Sequence, residues 1–144
     1  MTTYRGNGVN GTQNIATPAY AGLVAANTFS MAVPLDAKTG DILEIGILPQ
    51  NNTICDCTVF SDAVGISFDA GIMTGTPGDT VEIRECGNEL FTACDIGTSG
   101  GAIKPEKASA YRIASSNVER SIGLKITGGS PAAGTVSITL FIKS

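Results

Sequence analysis

The sequence predicts an all-β chain: a β-sandwich or jelly roll with an extended N-terminal arm. Three observations point that way. Apolar residues recur at every second position along much of the chain from Thr28 to Ile142, the period of a strand with one buried face. Gly, Pro and Asn clusters interrupt the alternation at short intervals, as turns between short strands do. No stretch of about ten residues or more carries an amphipathic helical pattern. About seven or eight short strands are expected, a number that suits two packed sheets.

Residues 1–26 differ from the rest of the chain. Gly6, Gly8, Gly11, Asn7, Asn10 and Asn14 give the first half little to bury, and PAYAGLVAAN then gathers apolar residues without a period. The segment is expected to be an arm that gains order on its own domain or on a neighbour, with residues 27–144 forming the sandwich. The arm holds Tyr4, Arg5 and Tyr20. A tyrosine anchors through an apolar ring and a hydroxyl, and an arginine forks onto a carboxylate. These three are therefore the candidate residues for contact with a neighbour.

From Asn27 the strands come in order. Phe29, Met31 and Val33 alternate with Ser30 and Ala32 until Pro34 ends the run. Lys38-Thr39-Gly40-Asp41 reads as a turn. Ile42 to Leu48 is almost continuously apolar, which predicts a strand covered on both faces. After the loop Pro49-Gln50-Asn51-Asn52, Cys55, Cys57 and Val59 are expected on one strand face, with Asp56 and Thr58 opposite. Ile66, Phe68, Ala70 and Ile72 alternate with Ser67, Asp69 and Gly71, and Thr76-Pro77-Gly78-Asp79 carries the turn chemistry of a tight corner. Val81 and Ile83 are expected to return as the partner strand. Between Glu85 and Glu119 the pattern is irregular: a short helix or loops both fit, Leu90 and Phe91 are expected in the core, and Tyr111 with Ile113 is read as a further strand. Ile122, Leu124 and Ile126, the loop Gly128 to Gly134, and then Val136, Ile138, Leu140 and Ile142 predict a closing β-hairpin.

With 144 residues the chain has the length of one domain, able to bury roughly 70% of its unfolded surface. No run approaches the about 18 apolar residues of a membrane helix. MTTYRGNGVNG has no basic region ahead of an apolar core, so folding in a cytoplasm is expected, and the sequons at Asn10 and Asn51 read as chance matches. Only 15% of residues are charged, against about 25% in ordinary globular domains, and mean hydropathy is +0.19. A lone domain of that composition would expose apolar surface, so coverage by other subunits is expected; a soluble Gly/Ala/Thr-rich β protein at net charge −4 is the plainer alternative. Nine basic residues against thirteen acidic ones, without a basic run, argue against nucleic-acid binding.

Candidate chemistry is sparse. The chain has no histidine, which removes His-based nucleophilic catalysis and the commonest metal ligand. Gly97-Thr98-Ser99-Gly100-Gly101 lacks the Lys-Ser/Thr of a phosphate-binding loop. Asp56, Asp62, Asp69 and Asp79 lie on different strands and turns, without the spacing of a calcium loop. Cys55 and Cys57 are two apart and Cys86 and Cys94 eight apart, neither a zinc-ligand spacing. They are expected to be reduced, small core residues, with zinc or a Cys86–Cys94 disulfide as alternatives. No cofactor, metal or enzymatic activity is expected. Sugar binding would need exposed aromatic platforms, and the chain has no tryptophan.

The segments FDAGIMTGTPGD (Phe68 to Asp79), CGNELF (Cys86 to Phe91), DILEIGILP (Asp41 to Pro49) and RSIGLKITGGSPAAGTVSITLFI (Arg120 to Ile142) resemble the small decoration, or cement, proteins of tailed-bacteriophage heads. The resemblance spans roughly residues 28–142 and is one of style and segment order rather than of a diagnostic motif. It implies a jelly-roll homotrimer on the outer capsid surface, at threefold or quasi-threefold points, clamping neighbouring major capsid protein subunits. It implies assembly in the host cytoplasm, residence in the virion and no catalytic residues. Two other functions stand beside it: a carbohydrate- or receptor-binding module on a virion surface, and an enzyme built on a carboxylate pair.

Overall fold

Strands that each offer one apolar face must bury it, and two sheets packed face to face do so. The computed structural model describes residues 2–10, 13–19, 22–79 and 83–144. Its strands are β1 (Thr3–Arg5), β2 (Ala25–Ala32), β3 (Ile42–Leu48), β4 (Thr53–Ser61), β5 (Ile66–Ile72), β6 (Phe91–Cys94), β7 (Gly101–Ile103), β8 (Arg120–Gly129) and β9 (Thr135–Lys143). Two single-turn helices, α1 (Asn7–Asn10) and α2 (Ile96–Ser99), and a 3-10 turn at Ala108–Tyr111 complete it. One sheet has the order β1-β3-β8-β5-β6 and the other β2-β9-β4-β7. Without β1, the strands in chain order fill the sheets as second-seventh-fourth-fifth and first-eighth-third-sixth, the strand order of a jelly roll.

The core lies between the sheets. Phe29, Leu43, Leu48, Phe68, Leu90, Leu124 and Ile138 are all fully buried there. β2 follows the predicted alternation, with Asn27, Phe29 and Met31 buried and the residues between them exposed. β3 is buried at every position, as its continuous apolar run predicts, because β1 and β8 flank it and both its faces are covered. The turn at Gly40 is closed by the Asp41 N–H donating to the Lys38 carbonyl at 2.9 Å, with Gly40 at φ 95°.

Several expectations need correction. The closing hairpin does not exist: β8 pairs with β3 and β5 in one sheet, β9 with β2 and β4 in the other. Alternation reports that a strand has one buried face, not which strand it pairs with, and the loop from Ser130 to Gly134 carries the chain from one sheet to the other. Val81 lies outside the described residues. Ile83, expected in a returning strand, is 89% exposed and unpaired in any ladder. The chain returns to β5 later, through a Met73–Cys86 bridge and then β6. In β4 a bulge between Ile54 and Asp56 shifts the register, so Ile54, Cys57 and Val59 share the core face and Cys55 is displaced to a half-buried position. Tyr111 ends the 3-10 turn rather than starting a strand; Ile113 is buried but lies in an irregular segment.

Candidate assembly surfaces

The outer face of the five-stranded sheet is covered by the chain itself. Residues 73–79 and 83–90, between β5 and β6, lie back across that face. The Glu89 carboxylate accepts from the Ile72 N–H at 2.8 Å, and the Gly87 N–H donates to the Ile72 carbonyl at 2.9 Å. Backbone and sheet approach so closely that a Cβ at Gly71 would sit 2.6 Å from the Gly87 carbonyl. A Cβ at Gly123 would meet Met73 Cγ at 2.6 Å. These glycines mark where the covering segment lies on the sheet.

A buried ion pair fastens that segment. Arg84 is 2% exposed and Glu44 on β3 is 0% exposed. Arg84 Nη1 lies 2.7 Å from Glu44 Oε2. Its Nη2 donates to Ser121 Oγ at 3.0 Å and its Nε to the Thr74 carbonyl at 2.8 Å. Ser121 in turn donates a short hydrogen bond to Glu44 Oε2, which also accepts from the Gly78 N–H at 3.1 Å. Glu44 Oε1 is buried without a hydrogen-bond partner among the described residues. Taking two charges out of water costs several kcal/mol per ion, and the Coulomb gain offsets this only with excellent geometry. The cluster is thus better understood as fixing the positions of Thr74, Gly78 and Arg84 than as adding net stability. No signal in the sequence pairs Glu44 with Arg84, forty residues away.

The N-terminal segment lies on its own domain, one of the two surfaces expected for it. β1 pairs in parallel with β3, from Thr3 opposite Ile42 to Arg5 opposite Glu44. The Thr2 N–H donates to the Asp41 carboxylate at 2.8 Å, and the Gly6 N–H to the Glu44 carbonyl at 2.9 Å. α1 then closes the side of the sandwich between β2 and β3. Glycine is needed there: a Cβ at Gly8 would approach the Phe29 ring to 2.4 Å. Gly6, Gly8 and Gly11 have the spacing of a dinucleotide-binding loop, but Gly6 follows a three-residue edge strand and Gly8 lies in a helix of one turn. The described glycines, Gly6 and Gly8, serve packing here and form no phosphate cradle.

Of the candidate contact residues, Tyr4 is half-buried and packs against the core cluster. Burial first, then Asp36 and Asp41, push its phenol pKa up. Arg5 is exposed and donates to the Gly78 carbonyl at 3.3 Å, tying β1 to the covering segment. Tyr20 lies outside the described residues. The structure therefore brings Tyr4 and Arg5 onto one edge of the sandwich.

Among the described residues, the outer face of the four-stranded sheet has no such cover. Cross-strand hydroxyl pairs run along it: Thr28 with Thr139 at 2.9 Å and Ser30 with Ser137 at 2.8 Å. Ala26, Ala32 and Ala102 stand exposed around them, and Phe60 is 39% exposed. Two charged groups on this side form an ion pair, while Lys143 at the end of β9 is exposed. Lys104 Nζ lies 3.0 Å from Asp56 Oδ2 and, with the Cys57 N–H and Tyr111 OH, holds the Asp56 carboxyl below the usual range. The ion pair is exposed and adds little stability.

The other candidates for chemistry are used locally. Asp62 accepts from the Thr135 N–H at 3.0 Å and Asp69 from the Ala93 N–H at 2.7 Å. Among the described residues no group of three or more His, Cys, Asp or Glu side chains could hold a metal. All four cysteines are free; Cys57 and Cys94 are buried, Cys55 and Cys86 half-buried. Burial pushes the Cys57 and Cys86 thiols up to about 12, so neither is a reactive thiolate at neutral pH.

No family model and no curated protein matches the chain. Solved structures do. A chain of the capsid of Ralstonia phage GP4 superposes with a TM-score of 0.94 and 32% sequence identity, over 99% of this chain and 98% of that one. A chain of the cyanophage Pam1 capsid asymmetric unit gives a TM-score of 0.63 at 15% identity, over 92% of this chain and 94% of that one. A chain of the acid-stable capsid of Helicobacter pylori bacteriophage KHP30 gives 0.51 at 7% identity, over 85% and 92%. The last two share the fold; the first shares sequence over nearly its whole length.

Proposed function

The chain belongs to the family of phage capsid proteins that includes the GP4 capsid chain, and from that premise we propose that it is a decoration, or cement, protein of a phage head. In this reading it binds the outer surface of the shell as a homotrimer and fastens neighbouring major capsid protein subunits together. Its work is structural, without catalysis or cofactor. The observation that carries the reading is the inequality of its two outer faces. One is covered by the chain's own residues 73–79 and 83–90, and the other shows hydroxyls, alanines and Phe60 with few charges. A weakly charged face suits contact with other subunits, where charged residues are depleted at the interface core. It also accounts for a chain with only 15% charged residues.

The division into an arm, residues 1–26, and a sandwich, residues 27–144, is part of the proposal. Tyr4, Arg5 and Tyr20 are the arm residues we assign to contact with a neighbour. The test combines solution mass with binding to shells assembled without this chain. Trimers that bind saturably to the outside of such shells support the reading. A monomer that neither self-associates nor binds shells overturns it. Replacing Arg5 and Tyr20 with alanine is expected to weaken binding while leaving the circular dichroism spectrum unchanged.

A further inference from the structure

We propose that one end of the sandwich, the end where the β3–β4, β5–β6 and β7–β8 connections converge, is the surface that seats on the capsid shell. Ile83 and Val118 are its apolar anchors. The proposal rests on the reading of the chain as a shell-binding protein and adds which part of the molecule makes that contact.

Large apolar side chains exposed among the described residues fall unevenly over the molecule. Ile83 is 89% exposed, Val118 56%, Val24 55% and Leu23 49%. All four belong to one end. Val118 lines a shallow groove with Gln50 of the β3–β4 loop and Pro77 of the β5–β6 connection. Asn51 in the same loop donates its N–H to the Ser116 carbonyl at 2.6 Å, and Thr53 Oγ1 donates to the Ile113 carbonyl at 2.7 Å, holding the β7–β8 connection there. Leu23 and Val24 lead into Ala25, which pairs with Ile142 near the end of β9, beside the start of β4. Ile83 directly precedes Arg84, whose guanidinium reaches Ser121 at the start of β8. At the opposite end, formed by residues 34–41, 62–65, 95–100 and 130–134, Leu35 is 66% exposed, and Phe60, 39% exposed, borders this end near the close of β4.

Position matters as much as exposure. Ile83 is the most exposed of these side chains, and the next residue is 2% exposed and bonded to Glu44, Ser121 and Thr74. A residue pinned in this way cannot retract its neighbour into the core. Arg84 is a positioning residue that displays Ile83 on a fixed point of the backbone. An anchor held in its bound position avoids part of the ordering cost of association. The occupant is set by family membership: a capsid chain meets other capsid subunits, and an apolar knob next to the anchored Arg84 fits an apolar depression in their outer surface.

The experiment measures binding of the full chain to shells assembled without it, comparing Ile83→Asp and Val118→Asp with Leu35→Asp at the other end. Each variant is checked by solution mass and thermal melting. The expected result is a loss of about tenfold or more for Ile83→Asp and Val118→Asp, and less than about twofold for Leu35→Asp, on the scale that burying or charging one apolar anchor has in an interface. Parent binding with unchanged affinity for Ile83→Asp and Val118→Asp overturns the assignment of this end while leaving the shell-binding reading intact. Loss of trimers in the Ile83→Asp variant also overturns it, since the surface would then join copies of this chain. A parent that binds no shells overturns both readings. Hydrogen exchange of the parent on shells needs no variant: protection is expected at 83–85 and 116–119, and protection at 34–40 instead contradicts the proposal.

Discussion

The two outer faces of the sandwich are built by opposite means. The five-stranded sheet is covered by a segment that packs glycine against backbone and is pinned by a buried Glu44–Arg84 pair. The four-stranded sheet carries Thr and Ser hydroxyls that satisfy one another in two cross-strand pairs. The covered face carries a desolvation cost that fixes one geometry. The bare face carries few charges, and its Thr and Ser hydroxyls bond one another, so a partner that covers it leaves those hydroxyls satisfied. The first is a finished interface within the chain; the second is the surface that the proposed function gives to other chains.

That contrast can be broken from the covered side first. Arg84→Ala leaves Glu44 buried without its counter-charge and is expected to destabilise the fold by about 3–5 kcal/mol. The double variant Glu44→Leu, Arg84→Met should recover most of that loss while loosening Thr74 and Gly78. Urea denaturation with exchange protection of the Thr74 and Gly87 amides measures both. A small loss in the single variant means that the pair is exposed to water in solution and pins nothing.

Gly71→Ala forces a methyl group against the Gly87 carbonyl, and overpacking of this kind costs about 1–3 kcal/mol. On the bare face, Thr139→Val removes one exposed hydroxyl pair and is expected to cost about 1 kcal/mol or less. Equal losses at the two sites would erase the distinction between the faces.

The thiols give a test by pH. With Cys57 and Cys86 pushed up to about 12, their stabilising contribution is fully present below the unfolded value of 9.0. It is lost as pH climbs through the folded value, because the unfolded chain releases those protons first. Native alkylation at pH 8 should leave both nearly unreacted, with the rate rising about tenfold per pH unit. Four thiols should react in denaturant. Fast native labelling of Cys86 would mean that residues 83–90 open readily.

The smallest effect concerns Ala93, which sits at φ 49° beside the bulge in the β5–β6 ladder. Ala93→Gly relieves left-handed strain of about 1–2 kcal/mol but adds about 0.5–1 kcal/mol of backbone entropy to the unfolded chain. A gain of about 1 kcal/mol or less is expected on thermal melting.

The sheet-forming segments are legible in the sequence because alternation is a local signal: Phe29 and Met31, Ile66 to Ile72, and Val136 to Ile142 all keep the faces their pattern assigns. Pairing is not legible. Ile122–Ile126 and Val136–Ile142 are neighbours in sequence with matching periods, yet the jelly roll sends them to different sheets, a choice made by the whole topology. The bulge at Cys55 and the exposure of Ile83 escape for a related reason. One extra residue reverses the faces of a strand, and the path of the chain beyond Pro77 is set by the contact of Arg84 with Glu44. The glycines of the arm read as flexibility; Gly8 turns out to be the small residue that lets α1 close over Phe29. Tyr4 and Arg5 lie in the short strand that joins the arm to the chain's own β3, with Arg5 reaching Gly78, a contact that no local pattern announces.

The central claim is that this chain sits on the outside of a phage head and leaves its bare sheet face to other subunits. A reconstruction of the parent particle, compared with one assembled without the chain, tests it most directly. The account predicts difference density at threefold or quasi-threefold points on the outer surface, three sandwiches to each, with the Thr28–Thr139 face covered and residues 73–79 and 83–90 still packed on their own sheet. Density inside the shell, or sandwiches standing singly with that face open to solvent, would contradict it.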